Sequence, residues 1–336
     1  MKTKAAVLRN IGGPLVIEEL EIPKLKHGQV LVNVLHSGLC RSNINEINGR
    51  KGADFIPHLT GHEASAVVME IGEGVTKVRL DDFVVCSWIK GSGLETLSVK
   101  YQSRYGVVNA GACSTFTEYA VISENRLIKI PEEIDSVEAA LLGCAILTGA
   151  GIVDHYKMKP GQKLAVFGIG GIGASALLRA VSLGMDCTAL DVMSWKLEWA
   201  RTNLGVKTAY SNDFYFKRDL QHSFDFSVEC SGSKDGMEYS FVAIKTSGTA
   251  IIAGNLKPEE MISIDPWQLM LGKTIDATWG GGSFLDQDVP FYADLCLKGN
   301  LSIGKLVTKI YPFGNINNGL DDLEAGKLIR GIVKVS

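Results

Sequence analysis

Short apolar and β-branched runs fill the first part of the chain. Residues 4–9, 15–20 and 29–37 are broken by Gly12-Gly13-Pro14 and by the turn 23–28, a pattern that predicts antiparallel strands joined by tight turns. Residues 61–71, containing A-S-A-V-V-M-E-I, and residues 82–86 continue it across the turn Gly72-Glu73-Gly74. Residues 91–111 mix glycines, tyrosines and both charges without a period and read as a loop, while 116–121 and 126–130 read as strands closed by Pro131. Near Ser136 the period changes. V-E-A-A-L-L-G-C-A-I-L-T-G-A-G-I-V has helical spacing and leads into alternation: strand 163–167, helix 171–184, strand 187–190, helix 194–203, strand 224–229, helix 234–244, strands 249–253 and 275–279. Strand and helix in that rhythm predict a doubly wound parallel sheet, so the fold class is α/β with a separate β-rich domain. After Gly280 the pattern predicts a helix at 289–298, a strand at 307–311, a helix at 316–325 and a closing strand at 332–335. The domain boundaries that follow are 1–145 with 280–336 for the β-rich domain and 146–279 for the parallel sheet.

Gly168-Ile-Gly170-Gly171-Ile-Gly173 follows the strand K-L-A-V-F and opens a helix, and Asp191 ends the next strand. Glycines in this place permit a tight turn and bring a pyrophosphate against the N–H groups of a helix N-terminus. An acidic residue at that distance accepts hydrogen bonds from a ribose diol and repels a 2′-phosphate, and no arginine follows at Val192 or Met193. The pattern predicts NAD(H) in preference to NADP(H).

With 336 residues, 46% hydrophobic and 21% charged, the chain can bury more than one core, which fits two domains. A formal charge of −3 leaves no basic excess to draw it to nucleic acid or an anionic membrane. Charge returns at Arg9 before any signal-peptide core develops, and the apolar run 139–153 is too short to span a bilayer. A cytoplasmic protein is expected. Seven cysteines without a C-x-x-C pair are core thiols or metal ligands rather than a disulfide framework.

Cys40, Ser42, His62 and Glu63 bring a thiol, a hydroxyl, an imidazole and a carboxylate into one stretch, and Cys144 offers a further soft ligand. Cys40, His62 and Cys144 would make an open zinc site, with Glu63 behind it or as an exchangeable fourth ligand. Spacing alone also allows core thiols and a satisfied histidine.

C-R-S with G-H-E, the turn E-I-G-E-G-V-T-K-V with D-D-F-V-V, S-T-F-T-E-Y, L-L-G-C-x-x-x-T-G, G-x-G-G-x-G and the terminal L-I-R-G-I occur in the order found in the zinc-containing alcohol dehydrogenases of the medium-chain dehydrogenase/reductase superfamily. The chain resembles that family over nearly its whole length. Its C-R-S and C-terminal stretch are similar to the ordinary alcohol dehydrogenases and the class III, glutathione-dependent formaldehyde dehydrogenases. The resemblance implies a GroES-like β-rich catalytic domain and a Rossmann coenzyme domain. It implies an oxidoreductase that passes hydride between a small alcohol or aldehyde and NAD(H), as a homodimer or homotetramer. Carried over by position, it makes Cys40, His62 and Cys144 the zinc ligands with Glu63 beside the metal, and Ser42 the acceptor of the substrate proton. Arg41 and Arg330 would meet the pyrophosphate, Asp191 and Lys196 the adenosine ribose, and Thr148 the nicotinamide. Trp88 and Phe116 would line the substrate pocket.

Two departures stand out. The family's structural zinc needs four closely spaced cysteines, and 91–111 has none, so one catalytic zinc per chain and a remodelled lobe are expected. Asn43 and Asn45 stand where relatives carry aspartate and histidine, and an amide does not take up a proton near neutrality. Protons would then leave Ser42 through ribose and water, or through His36 or His58. A zinc-free quinone or enoyl reductase of the same fold, and a non-catalytic dinucleotide-binding protein, are the competing readings.

Overall fold

The computed structural model describes residues 1–336 apart from Leu97, Lys217 and Pro258, and side chains other than those of Tyr215 and Phe216. Two compact units emerge, Met1–Cys144 with Phe284–Ser336, and Ala145–Ser283. Ala145 and residues 280–283 group with the second unit, where Ser283 Oγ donates to Leu147 O at 2.6 Å and Gly281 lies against the backbone of Leu147 and Thr148.

In the first unit a closed barrel is formed by Lys2–Leu8, Leu15–Glu21, Val99–Ser103, Gly106–Ala110 and His58–Leu59. Beside it lies a seven-stranded sheet whose central strand, Gln29–Leu39, pairs with Glu63–Ile71, Tyr119–Ser123 and Arg330–Lys334. That strand is buried on both faces. Val30, Val32, Val34 and Leu39 enter one core, while Leu31 enters another with Leu20, Tyr101 and Val121. Alternation along a strand sends neighbours to opposite faces, so a strand between two cores reads as a continuous apolar run.

The stretch 91–111, expected to be a loop, holds an antiparallel hairpin, Val99–Ser103 with Gly106–Ala110. Its inward residues Val99, Tyr101 and Ser103 alternate with exposed Lys100 and Gln102, and the two-residue connection Arg104-Tyr105 ends at Gly106 with φ +114°. The part before the hairpin is pinned by carboxylates: Glu124 accepts from the backbone N–H groups of Thr76, Lys77 and Leu94 at 2.6, 2.8 and 2.7 Å. Asp286 accepts from Ser92 N at 2.5 Å and pairs with Lys77. The sequence reading also left out the helix Arg41–Ile47 and the edge strand Lys207–Tyr210.

In the second unit six strands pair in parallel in the order Lys207–Tyr210, Asp186–Asp191, Lys163–Phe167, Phe224–Glu229, Ile244–Ile252, Thr274–Ala277. Chain order reverses between Lys163–Phe167 and Phe224–Glu229, the switch point at whose carboxyl end such sheets bind ligands. Among the described residues no helix is long and apolar enough to cross a membrane.

Candidate metal centre and coenzyme loop

Three elements of the first unit converge on one spot. The strand Gln29–Leu39 runs directly into Cys40, the N-cap of the helix Arg41–Ile47. Gly61, at φ +87°, turns the chain into His62, and a Cβ there would come within 2.5 Å of Thr115 Oγ1 and 2.8 Å of Phe116 N. Gly143, just before Cys144, passes so close to the neighbouring strand that a Cβ would lie 2.2 Å from Cys86 O. Close approach of backbone to backbone therefore brings the ligand types together. One ligand atom each from Cys40, His62 and Cys144 lie within 4.8 Å of one another.

The donor set fits zinc: two sulfurs and one imidazole are three of the four ligands of a tetrahedral site. The thiols differ in how far their surroundings favour ionisation. Hydrogen bonding with Cys144, helped by His62 and the positive charge of Arg330, pushes the Cys40 thiol well down despite its burial. Burial pushes Cys86, Cys113, Cys187, Cys230 and Cys296 up, to about 12 for Cys113, Cys187 and Cys296. A thiolate is the metal-binding form, and burial disfavours it at those five.

Ser42 lies over the cluster, its Oγ donating to Cys40 Sγ at 3.0 Å and standing 3.5 Å from His62 Nε2. Asn43 is fully buried; its Oδ1 accepts from Cys40 N at 2.9 Å and its Nδ2 lies 3.3 Å from His62 Nδ1. Glu63 is solvent-free and forms an ion pair with Arg330, itself 3% exposed, whose Nε has no hydrogen-bond partner. Sequence reasoning missed that pairing, which joins residues far apart in the chain. Arg41 is exposed at the start of its helix, and Asn45 is half-buried. Phe116 is fully buried within the core beside Gly61, while Trp88 is half-buried after the strand Phe83–Ser87, its carbonyl accepting from Arg126.

The two histidines considered for proton release have other partners. His36 Nδ1 is 3.0 Å from Ser136 Oγ, and burial lowers its pKa. His58, 3% exposed, bonds Glu46 Oε1 through Nε2 at 2.9 Å.

In the second unit the glycine loop follows the strand Lys163–Phe167 and opens the helix Gly171–Ser182. Gly168 has φ +89° and would press a Cβ onto Ser231 at 2.6 Å from its N, and Gly173 would meet Gly168 O at 2.1 Å. Gly170, by contrast, faces open space, with nothing within 4 Å of an added Cβ. Two glycines thus shape the loop and the third leaves its surface bare for a phosphate to reach the backbone. Asp191, 6% exposed, holds the loop from below, accepting from Ile169 N at 2.6 Å and Met193 N at 2.9 Å. Thr148 is buried in the helix Ala145–His155, and Lys196, half-buried, lies over the Trp195 ring at 5.8 Å.

Known proteins resemble the chain over nearly its whole length. Residues 26–132 match the alcohol dehydrogenase GroES-like domain. The chain is 30% identical to an S-(hydroxymethyl)glutathione dehydrogenase of Synechocystis sp., over 99% of this chain and 100% of that one. Among solved structures, an alcohol dehydrogenase zinc-binding domain protein from Burkholderia ambifaria superposes with a TM-score of 0.91 at 26% identity, covering 100% of this chain and 99% of the other. Benzyl alcohol dehydrogenase from Acinetobacter calcoaceticus gives 0.89 at 25% identity, with both chains covered completely.

Proposed function

The chain belongs to the zinc-containing alcohol dehydrogenases of the medium-chain dehydrogenase/reductase superfamily, and from that premise we propose that Cys40, His62 and Cys144 hold one catalytic zinc and that the 168–173 loop holds NAD(H). The observation that carries the reading is the three-ligand cluster with the Ser42 hydroxyl above it. The reaction is oxidation of a small alcohol to its aldehyde or ketone, and the reverse. A zinc ion bound there supplies Lewis-acid polarisation of the alcohol oxygen, and NAD supplies the hydride acceptor.

The chain's own groups do the rest. Ser42 Oγ takes the substrate hydroxyl proton and hands its own to solvent or ribose, since Asn45 has no basic atom to receive it. Asp191 accepts from the adenosine ribose diol while keeping the glycine loop in shape, and Lys196 shares in binding that ribose. Thr148 packs against the nicotinamide. Arg41, exposed, and Arg330, through its unpartnered Nε, donate to the pyrophosphate. Glu63 compensates the Arg330 charge behind the metal. Trp88 and Phe116 shape the alcohol pocket. With no cysteine in 91–111, the carboxylate anchors Glu124 and Asp286 hold that lobe and no structural zinc is required.

The relatives named for S-(hydroxymethyl)glutathione and for benzyl alcohol define the substrates to test first. Metal analysis should return one zinc per chain. A panel of primary, secondary and aromatic alcohols with NAD, and formaldehyde oxidation with and without glutathione, should reveal turnover with at least one substrate class. A metal-free protein that turns over quinones or enones instead would overturn the reading.

A further inference from the structure

The two contacts of the buried Asn43 amide become chemically opposed once His62 binds a metal. Asn43 Oδ1 faces Cys40 N at 2.9 Å, and a backbone N–H can only donate, so this bond fixes which way the amide points. The NH2 group is thereby turned on His62 Nδ1, 3.3 Å away. Because NH2 can only donate, Nδ1 is the accepting nitrogen and the ring proton sits on Nε2. Yet Nε2 is the nitrogen that faces Ser42, whose hydroxyl bonds Cys40 Sγ, and it must present a lone pair to a metal held with Cys40 and Cys144. The proton then belongs on Nδ1, where it confronts an N–H of Asn43. Turning the amide over satisfies His62 but puts the NH2 group on the Cys40 N–H. Two donors converge on a side chain with one accepting atom, where a carboxylate would offer two.

We propose that Asn43 is a positioning residue that holds His62 as the Nε2–H tautomer in the metal-free protein and leaves one buried N–H unpaired in the zinc-bound protein. This chain consequently binds its catalytic zinc more weakly, and exchanges it faster, than the same chain with a carboxylate at position 43. The inference rests on the zinc reading above.

Two measurements test it. In zinc-free wild-type protein labelled with 15N-histidine, two-bond proton–nitrogen correlation should give the Nε2–H pattern for His62, assigned by its loss in His62→Asn. In competition with a chromogenic chelator, Asn43→Asp, with folding checked by NADH binding, should hold zinc about tenfold more tightly or better, and release it more slowly. An Nδ1–H pattern in the zinc-free wild type, or an Asn43→Asp affinity equal to or weaker than wild type, overturns the proposal; the tautomer measurement decides alone if the variant fails to fold. Absence of zinc uptake by the wild-type protein would overturn the metal assignment and this inference together, and is recognised without any variant.

Discussion

Glu63 and Arg330 form an ion pair shut away from water, close enough to the Cys40, His62 and Cys144 cluster for the Arg330 charge to act on Cys40. Gly38 and Gly143 both pass against the Glu63 side chain, where a Cβ would come to 2.4 Å from its Oε1 and 3.0 Å from its Cβ respectively. The Arg330 charge also helps to lower the Cys40 thiol. Removing one partner strands a buried charge, at a cost of about 3–5 kcal/mol. Urea unfolding of Glu63→Ala and Arg330→Ala should show losses of that order, with the double variant losing clearly less than the sum. Additive losses would mean that the pair is not coupled.

Cys40→Ala and His62→Ala should abolish alcohol oxidation and lose zinc, yet bind NADH with nearly unchanged affinity in a fluorescence titration. Cys86→Ala, in contrast, removes a core thiol and should keep zinc content at the wild-type level. Wild-type rate and zinc content in Cys40→Ala would refute the ligand assignment.

Asp191→Ala should weaken NAD(H) far more than NADP(H), because the lost carboxylate repels a 2′-phosphate as well as binding a diol. The variant also frees the N–H groups of Ile169 and Met193, so some loss is shared by both coenzymes. Comparing dissociation constants of the two reduced coenzymes separates the shared part from the ribose contact. Equal losses would count against that contact.

Burial raises the pKa of Glu124, but the backbone donors Leu94, Thr76 and Lys77 together with the Lys77 charge outweigh it, and the net direction is downward from the usual 4.5. A carboxyl whose pKa falls on folding stabilises the native state above its unfolded value, and that contribution disappears as pH drops through the lower, folded value. Limited proteolysis should therefore find the 91–96 segment protected near neutrality and increasingly cut in acid. Glu124→Gln should be cut at neutral pH as well, with little further acid dependence.

Asn45→His places a group with a pKa near 6.5 in the helix that carries Ser42. The acid limb of the pH profile for alcohol oxidation should move relative to wild type. An unchanged profile would mean that the proton leaves by a path that does not pass position 45.

What the sequence determined by itself is whatever a few neighbouring residues dictate. The strand–glycine–helix run at 163–182 and the ligand types at 40, 62 and 144 are written locally, as period, backbone permissiveness and donor chemistry. The 99–110 hairpin was obscured because its inward face is mixed, with a serine beside Val99 and Tyr101, and its outward face carries Lys100 and Gln102 but also Val107. Tertiary structure alone decided that Arg330 turns to Glu63, that Glu124 gathers the N–H groups of Thr76, Lys77 and Leu94, and that the Asn43 amide gives its one acceptor to Cys40 and its donors to His62. Each joins groups from separate segments, and the direction of a hydrogen bond or ion pair is fixed only when folding has brought its partners together and removed the water that would otherwise have satisfied them.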